Sequence, residues 1–306
     1  MLITKRGTNL VLVKQVDHGE LAGRIAEAWG NDQFEPPAHR DSACLAAARH
    51  DEGWRSWDDR PAMNESEHRP LHFLEIDMKD HIPLYRSGVK SVAELDPYAG
   101  VLVGMHWTGL YRGRWGLQSS PAGLLQADRT PIQRLQDEVV VQEQKRWIGV
   151  KDTLWDGHGS RSDFEARLWR DYDRLQAWDM LSLFICMSVV DVVDSEAEPV
   201  LLTSTLKRLD QEAGSRVIPN VPTAPGRPPV DLVLRPVEPG VVAVNPYPFG
   251  GSRHGFGVAA MLIPDRAYST NEISEVMRTA RRVELECQMC PGESASVMRS
   301  TAARTS

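Results

Sequence analysis

The chain has 306 residues, 42% of them hydrophobic and 25% charged, a composition typical of a soluble globular protein with one large or two ordinary domains. Its net charge of -7 argues against a broad nucleic-acid-binding surface, and no apolar run approaches the roughly 20 residues that span a bilayer. Four cysteines are too few for a disulfide framework, so we expect a cytoplasmic protein in a reducing compartment.

The first predicted elements are a strand and an amphipathic helix. The strand lies at residues 10–13, which are valine and leucine. Asp17, with Glu20 three residues later, predicts a capped helix start, and Gly30 predicts the helix end. The apolar stripe of this helix consists of His18, Leu21, Ala22, Ile25 and Trp29. His18 is therefore expected on the buried side.

A second helix is predicted from about residue 41 to residue 52, and it carries the adjacent pair His50-Asp51. Its apolar stripe consists of Ala43, Ala46, Ala47 and His50. Gly53 stops the helix, and Trp54 follows in a loop. A His-Asp pair that follows small apolar residues is expected to be buried, and buried ionisable groups need partners or a metal.

Three later helices each place an ionisable residue on an apolar stripe. They are predicted within residues 73–88, from Asp96-Pro97 to about 110, and over residues 162–193. His81, with Tyr85 one turn later, lies on the first helix, and His106 lies on the second. Asp179 lies in the middle of the apolar face of the third, which is costly unless the carboxylate is paired.

The composition changes after residue 194, where proline and valine increase and short β-like runs alternate with turns. We predict a helical body at residues 17–194, a β-rich subdomain at 195–290 and a tail at 291–306. The strand in residues 1–16 has no nearer partner and is expected to join the C-terminal sheet. The expected fold is thus mostly α, a helical bundle with a small antiparallel sheet built from the C-terminal region and the N-terminal strand.

The ionisable residues on buried stripes make up one candidate metal site. Its members are His18, His50, Asp51, His81, His106 and Asp179. A single histidine on such a stripe is more often a hydrogen-bonded core residue, but the coincidence of the whole set favours a metal. Imidazole and carboxylate ligands suit Fe, Mn, Zn or Ni. Six ligands are too many for one catalytic ion that keeps an open position, and they suit two ions.

The order H, HD, H, H, D in its helical setting resembles the HD-domain superfamily over residues 17–193, which implies an HD-domain helical bundle. The resemblance implies that one metal is held by His18, His50, Asp51 and Asp179. It also implies that Asp51 bridges two ions and that His81 and His106 complete the second. His72 is the substitute candidate for His81.

A narrower resemblance covers nearly the whole chain. It rests on Gln15-Val16-Asp17-His18, His50-Asp51-x-Gly53-Trp54-x-x-Trp57-Asp58, Asp96-Pro97-Tyr98-Ala99 and Asn245-Pro246-Tyr247-Pro248-Phe249. These motifs are similar to those of an uncharacterised bacterial family of HD-like proteins. Because no firm activity accompanies that family, the resemblance supports the fold more than the reaction.

One candidate reaction is phosphoester hydrolysis. Most members of the HD superfamily are phosphohydrolases, in which two metals hold a phosphoryl group that a metal-bound hydroxide attacks. Many of them carry Lys or His three residues after the Asp of the pair, where this chain has Trp54. The sequence has no P-loop or lysine cluster in compensation. Arg55, Arg60 and Arg86 are the remaining candidates for an anion clamp.

The other candidate reaction is that of the mixed-valent di-iron oxygenases, which use the same ligand order to activate O2 for C–H cleavage. This branch also has Lys at the position of Trp54, so the chain departs from both branches there. Four aromatic residues are expected to form an apolar pocket, namely Trp54, Trp57, Tyr85 and Trp107. We therefore expect an oxygenase with two Fe ions, or alternatively Mn, Zn or Ni, that oxidises a small organic substrate with O2. The predicted catalytic residues are Asp51, Trp54 and Tyr85. A metal-dependent phosphohydrolase of a phosphoester or nucleotide is the alternative.

Three further expectations concern partners and secondary sites. One is a non-enzymatic role, in which the HD fold is retained as a sensor of a nucleotide or partner. That role predicts that some of the metal ligands have been lost, whereas all six are present here, so it ranks last. Cys287-x-x-Cys290 lacks a second pair at a suitable spacing and is interpreted as two ordinary thiols. No nucleic-acid or membrane partner is expected, and the edge strands of the terminal sheet offer a surface for a homodimer.

Overall fold

The computed structural model describes residues 1–112, 130–155, 157, 159–188, 200–201 and 214–292. Within these ranges the chain forms eight α-helices, α1 to α8. They span Gln15–Ala28, Arg40–Arg49, Arg55–Asp59, Met78–Leu95, Pro97–Tyr111, Pro131–Leu154, Arg161–Ser188 and Thr270–Thr279. Two 3-10 turns lie at Glu52–Trp54 and Phe73–Glu75.

Ten strands, β1 to β10, occur in the same described ranges. They span Leu2–Arg6, Asn9–Val13, Met63–Asn64, Arg69–Pro70, Val200–Leu201, Arg216–Val221, Val230–Glu238, Val241–Asn245, His254–Pro264 and Arg281–Pro291. Eight of them form one sheet in the order β1-β2-β9-β10-β8-β7-β6-β5, and β3 pairs only with β4. Neighbours in the large sheet are antiparallel except for β10 with β8 and β6 with β5.

The predicted fold class is wrong, because the chain is not a mostly α bundle with a small antiparallel sheet. The sheet is large and mixed, and it forms a layer of its own beside the helices. The longest pairing in the sheet joins β9 and β10, from Arg281 opposite Leu262 to Met289 opposite His254. Strand β10 then lies parallel to β8 after a connection through β9 and α8. Such a crossover joins residues far apart in sequence, so local patterns of strand and turn residues do not reveal it.

The N-terminal hairpin joins the strands that come from the C-terminal part of the described chain. The hairpin of β1 and β2 joins the sheet through β2, which pairs with β9 from Asn9 opposite Pro264 to Leu12 opposite Met261. The predicted boundary at residues 194–195 and the tail from residue 293 onward lie outside the described residues.

Helix α1 begins earlier than the sequence predicts. Its N-cap is Lys14 rather than Asp17, and the Lys14 side chain makes no capping hydrogen bond. A carboxylate from a distant segment acts in its place, since the fully buried Asp58 of α3 accepts a hydrogen bond from the Val16 backbone N–H at 3.3 Å. Because the partner is tertiary, the predicted local capping box was wrong.

Two close approaches between backbones bring the ligand-bearing segments together. At Gly23, where α1 meets α2, an added Cβ would lie 2.6 Å from the Cβ of Ala48. At Gly53, where the turn at 52–54 meets α4, an added Cβ would lie 1.9 Å from the carbonyl oxygen of Leu84. Only glycine allows such contacts, so these two positions fix how α1, α2 and α4 surround the His50-Asp51 pair.

The main hydrophobic core lies between the helices and the sheet and includes Trp29, the C-cap of α1, Trp178 of α7 and Phe249. A second apolar cluster joins β1, β2 and β9 to Ile273 and Met277 of α8. None of the helices in the described ranges combines the length and the apolar character that a membrane span requires.

Candidate metal centre

Five of the six predicted ligands converge where α1, α2, α5 and α7 meet. His18 lies in the first turn of α1, His106 lies in α5 and Asp179 lies in α7. His50 is the C-cap of α2, and Asp51 directly precedes the turn at 52–54. All five residues are at most 4% exposed. Ionisable groups buried this deeply require charge partners or a metal.

The tightest part of the cluster, which we call the metal cage, consists of His18 Nε2, His50 Nε2, Asp51 Oδ2 and Asp179 Oδ1. The two Nε2 atoms are 3.1 Å apart. His18 Nε2 lies 3.6 Å from Asp51 Oδ2 and 3.3 Å from Asp179 Oδ1. The corresponding distances from His50 Nε2 are 3.7 Å and 3.6 Å. His18, His50 and Asp179 offer one ligand atom each within 4.8 Å of one another and so form one potential metal-binding group, and His50 and Asp51 belong to a second.

Hydrogen bonds behind the two imidazoles leave their Nε2 atoms free for a metal. His50 Nδ1 lies 2.7 Å from the Ala47 carbonyl oxygen, which can only accept, so this Nδ1 carries the proton. The Ser182 hydroxyl donates to the Asp179 carbonyl and therefore accepts from His18 Nδ1 at 2.7 Å. In neutral imidazoles both Nε2 atoms then present lone pairs. A proton on one Nε2, which gives a 3.1 Å hydrogen bond between the two rings, or a metal ion between them relieves the repulsion of these lone pairs.

The charge in the cage also favours a cation. Burial by itself lowers the pKa of the His50 imidazole, but Asp51 and Asp179 outweigh burial and raise that pKa to about 9. Two carboxylates and two neutral imidazoles give the cage a formal charge that a divalent metal neutralises. The donor chemistry, the spacing and the charge of the residues present all fit a divalent transition metal.

Asp51 is held in place on both of its oxygens. Its Oδ2 accepts a hydrogen bond from Gln15 Nε2 at 3.0 Å, and its Oδ1 accepts one from the Tyr85 hydroxyl at 2.6 Å. Burial and the nearby Asp51 charge raise the pKa of Tyr85 well above its ordinary value, so the phenol keeps its proton. Partners of this kind orient metal ligands.

The sequence reasoning missed Gln15 and Ser182 as partners of the ligands. The signal that would have found them is a polar residue on the same buried helix face as a ligand. Gln15 lies three residues before His18, and Ser182 lies three residues after Asp179.

His106 lies beside the cage rather than in its tightest part. Its Nδ1 is 4.0 Å from Asp179 Oδ2 and 3.4 Å from Gln176 Nε2. A donor atom of His106 also forms a potential metal-binding group with His50 and Asp51, all within 4.8 Å of one another. His106 is therefore a candidate fifth ligand to a cage ion or a ligand to a neighbouring ion.

His81 belongs to neither of the metal-binding groups found among the described residues. Its Nδ1 lies 2.8 Å from the Tyr111 hydroxyl, and its ring centroid is 4.6 Å from that of Tyr85. Burial lowers the pKa of His81 to about 4 despite the opposing charge of Asp51, so the imidazole is neutral at pH 7. The structure thus places His81 near the cage, where it contacts aromatic side chains.

His72, the substitute for His81, caps the turn at 73–75 and lies away from the cage. Its Nδ1 accepts a hydrogen bond from the Leu74 backbone N–H at 3.3 Å. Burial lowers the pKa of His72 to about 4. His72 lines a different pocket, beside Arg69 and Glu75.

The metal cage opens on one side into a cavity of about 220 Å³. The ionisable part of its wall includes His18, Asp51, His81, His106 and Asp179. The remainder is mostly aromatic and aliphatic, namely Trp54, Phe73, Leu74, Ile76, Met78, Tyr85, Leu110, Tyr111 and Leu183. Buried Trp54 contacts His81 and Tyr85 edge to face. None of the described residues that line the cavity is lysine or arginine.

The three arginines considered as anion clamps do not line this cavity. Arg55 pairs with Glu52 at 2.7 Å, and the side chain of Arg60 is exposed. Arg86 lines a separate groove that also includes Lys90 and Arg146.

Two of the predicted pocket aromatics and the cysteine motif also lie outside the cavity. Trp57 packs against Trp54, and Trp107 stacks on Tyr85. Cys287 and Cys290 are free thiols and belong to no potential metal group in the described part of the chain.

Residues 1–265 match the profile of a protein family described as "Protein of unknown function (DUF3891)". The chain belongs to this family. The matched range includes every residue of the metal cage and every residue that borders its cavity. No curated protein and no solved structure is detectably similar to the chain.

Proposed function

We propose that this family member is a metal-dependent oxygenase, which binds iron in the metal cage and oxidises a small organic substrate with O2. One observation carries the proposal: the cage opens into a small cavity lined by aromatic and aliphatic side chains, with no lysine or arginine among the described lining residues. Such a cavity suits a substrate with little negative charge. A phosphoester would bring charge that no side chain there neutralises.

The opening of the cage favours a catalytic metal over a structural one. Protein ligands close a structural site completely, whereas a catalytic site keeps a position open. Here His18, Asp51 and Asp179 all border the cavity, so a small molecule in the cavity has access to the ion. Iron and manganese accept more than four ligands, and a set of two imidazoles and two carboxylates leaves them positions for O2 or substrate.

We propose one ion in the cage rather than the two that the sequence predicts. Hydrogen bonds from Tyr85 to Oδ1 and from Gln15 to Oδ2 orient Asp51, and each oxygen keeps a lone pair for an ion. The reason for proposing one ion is that His81, a predicted ligand of the second, is absent from the potential metal groups of the described residues. A second ion beside His106 stays a prediction that the metal stoichiometry decides. The order H, HD, D of the cage residues agrees with the resemblance to the HD superfamily.

Each residue of the site has a role that follows from its contacts. Bound iron would supply the one-electron chemistry that reactions of O2 require. Asp51 and Asp179 neutralise the ion, and Tyr85 positions Asp51 through its hydrogen bond. Trp54 forms an apolar wall that keeps water from the substrate side of the cavity. We place the protein in the cytoplasm, where a reducing environment suits its four free thiols.

The proposal is tested by anaerobic reconstitution of the full chain with Fe(II), followed by metal analysis and electron paramagnetic resonance (EPR) with nitric oxide as a probe of an open iron position. We expect about one equivalent of iron and an iron–nitrosyl signal. His50→Ala is expected to lose both. The matched control is His39→Ala, since His39 is exposed and lies at the other end of α2.

Three other results would change the conclusion. Two equivalents of iron would restore the di-iron prediction. Retention of zinc or manganese, with turnover of p-nitrophenyl phosphate, would replace the oxygenase with the phosphohydrolase. Equal iron retention by wild type and His50→Ala would show that the cage does not bind metal.

A further inference from the structure

A second cleft, which we call the α7 cleft, lies between α7 and the connection from β6 to β7 and has a volume of about 400 Å³. On the α7 side it is lined by Trp169, Arg170 and Asp173, which share one face of the helix. On the other side it is lined by Asn220 of β6 and by Arg227 in the loop that follows. None of the described residues lines both the α7 cleft and the cavity beside the metal cage, so the two are separate.

Trp169 gives the α7 cleft an apolar platform. Its side chain is 40% exposed, and no other tryptophan, tyrosine or phenylalanine among the described residues is exposed to this extent. Tyr172 packs edge to face against the indole, with ring centroids 5.7 Å apart, and the Lys151 ammonium lies 5.8 Å from the indole centroid. These contacts hold the ring in place, and its exposed part is available to the nonpolar surface of a ligand.

Asp173 gives the α7 cleft an acceptor that lacks a donor. Its carboxyl is half-buried, and burial raises the pKa of Asp173 to about 7 although the Arg174 guanidinium opposes that increase. No group among the described residues donates a hydrogen bond to this carboxyl. A partly buried carboxylate without a donor is costly, so a ligand that supplies hydroxyl donors removes that cost when it binds.

The wall opposite α7 is rigid. Residues 219–229 include five prolines, each of which fixes its own φ. The Thr223 hydroxyl donates to the Pro228 carbonyl at 2.9 Å, and the Ala224 N–H donates to the Gln33 carbonyl at 3.0 Å. The second bond ties the loop to the segment that follows α1. The α7 cleft is therefore preformed, and a ligand pays little to order it.

The charges of the α7 cleft favour an uncharged ligand over a phosphorylated one. Arg170 is already paired with Glu35, at 3.4 Å, and Asp173 offsets the charge of Arg227. The cleft thus offers guanidinium donors and a carboxyl acceptor without the surplus of positive charge that a phosphate requires. Hydroxyl groups match such a lining, because each can donate to a carboxylate and accept from a guanidinium.

We propose that the α7 cleft is a binding site for an uncharged sugar, with the nonpolar face of a pyranose ring against Trp169 and its hydroxyls hydrogen-bonded to Asp173 and Arg227. The volume of the cleft is that of a small-molecule site. The inference does not rest on the proposed function, because no residue of the metal cage takes part in it.

Sugar binding at Asp173 should depend on pH. Hydroxyl donors favour the ionised carboxylate, so bound sugar opposes the effect of burial on the pKa of Asp173. The charged groups that face Asp173 among the described residues are Arg170 and Arg174 of α7 and Arg227 of the loop, and arginine stays protonated throughout. Sugar affinity is therefore expected to rise as the pH increases through 7, and Asp173→Asn should remove this dependence.

The test titrates the full chain with D-glucose, D-galactose and D-mannose, each up to about 10 mM, and follows binding by saturation-transfer difference NMR. We expect saturable binding of at least one of these sugars. Trp169→Ala should weaken it about 10-fold, whereas Trp169→Phe, which keeps an aromatic platform, should retain most of the affinity. Arg227→Ala and Asp173→Asn should each weaken it about 5-fold. The matched control is Asp163→Asn, since Asp163 is exposed in the first turn of α7 and lies outside the cleft.

Four other results would overturn the proposal. Saturable binding of none of the three sugars would refute a sugar site. Equal binding by wild type, Trp169→Ala and Arg227→Ala would place the sugar elsewhere on the protein. A pH profile unchanged in Asp173→Asn would exclude the hydrogen bonds to that carboxylate. Preferential binding of AMP, lost in the same variants, would make the α7 cleft a nucleotide site.

The test stays decisive if one variant misfolds and if the metal cage proves empty. Should Trp169→Ala fail to fold, Arg227→Ala decides, because the Arg227 side chain is exposed on the loop. All sugar titrations are made on metal-free protein, so failure of the sugar site leaves the proposed oxygenase standing. Failure of the cage to retain iron equally leaves the sugar site standing.

Discussion

At the scale of single residues, the proposed site depends on side chains that are not themselves metal ligands. Ser182 is the clearest case, because its hydroxyl fixes which nitrogen of His18 carries the proton. Ser182→Ala removes that acceptor and is expected to weaken metal affinity about 10- to 100-fold in a chelator-competition titration. Thr108→Val is the matched control, since the buried Thr108 hydroxyl donates only to Met105 of its own helix. Wild-type affinity in Ser182→Ala would contradict the assigned orientation of His18.

The second residue-scale prediction concerns the pH dependence of the metal-free protein. The pKa of His50 is raised from an ordinary 6.5 to about 9 in the folded state. The protonated imidazole therefore adds stability that is fully present below pH 6.5 and is lost as the pH rises towards 9. We expect the Tm of the metal-free protein to fall across this window and His50→Gln to flatten the decrease. Parallel profiles of Tm against pH for wild type and His50→Gln would contradict a role for His50 in this pH dependence.

Metal binding should have the opposite pH dependence. The ion and the proton compete for His50 Nε2, so metal affinity rises as the pH increases through the same window. Isothermal titration in buffers of different ionisation enthalpy would measure the proton released. The pKa of the free imidazole thus sets both the stability of the metal-free protein and its affinity for metal.

Some of these residue-scale features could be predicted from the sequence and others could not. His18, His106 and Asp179 stand out because each is an ionisable residue on an otherwise apolar helix face. His81 shows the same signal, yet the structure pairs it with Tyr111, because periodicity indicates burial and does not identify the partner. The bond from Tyr85 to Asp51 joins residues 34 positions apart, and no local pattern marks it.

At the scale of secondary-structure elements, backbone contacts at glycine set the positions of the ligands. Gly53→Ala would put a Cβ 1.9 Å from the Leu84 carbonyl oxygen and force the turn at 52–54 away from α4. We expect a loss of about 1 to 3 kcal/mol in the free energy of unfolding, measured by denaturant titration. Because Asp51 and Tyr85 flank this contact, metal affinity should fall as well.

Gly149→Ala is the control for that substitution. Gly149 lies in helix α6 with no atom within 4 Å of an added Cβ. Alanine there should leave metal affinity unchanged and raise stability by up to about 1 kcal/mol, because glycine is the poorer helix former. If Gly53→Ala were as stable as Gly149→Ala, the close approach at Gly53 would not constrain the fold.

The start of α1 shows why element boundaries were harder to predict than the elements themselves. The helix and its buried face follow from the spacing of Leu21, Ile25 and their neighbours. Its first turn, however, is satisfied by Asp58, which lies 42 residues from Val16 in the sequence. Local capping residues predict a helix end only where the cap itself is local.

At the scale of the whole molecule, the helical part of the fold was more accessible from sequence than the sheet. The helix that carries His18 has an apolar stripe and the helix that carries His106 is apolar throughout, and both patterns can be recognised without their partners. The sheet depends on pairings between distant segments, such as β2 with β9 and β10 with β8. Short runs of valine and leucine predict strands but carry no information about the order of the strands in the sheet. The size and mixed character of the sheet therefore could not be predicted.

The metal cage joins three of these helices, and this gives the last prediction. Its ligands come from α1, the end of α2 and α7, with His106 of α5 beside them, so an ion bound there links segments that must separate on unfolding. A ligand that binds only the folded state stabilises it by about 2.7 kcal/mol at a free concentration 100 times its Kd. We therefore expect the Tm to rise when Fe(II) or Mn(II) is added anaerobically and to fall again with chelator.

Asp179→Asn should abolish the metal-dependent increment in Tm, whereas Asp173→Asn on the same helix should retain it. An equal increment in both variants would show that the ion binds elsewhere, and no increment in wild type would show that these helices meet without a metal.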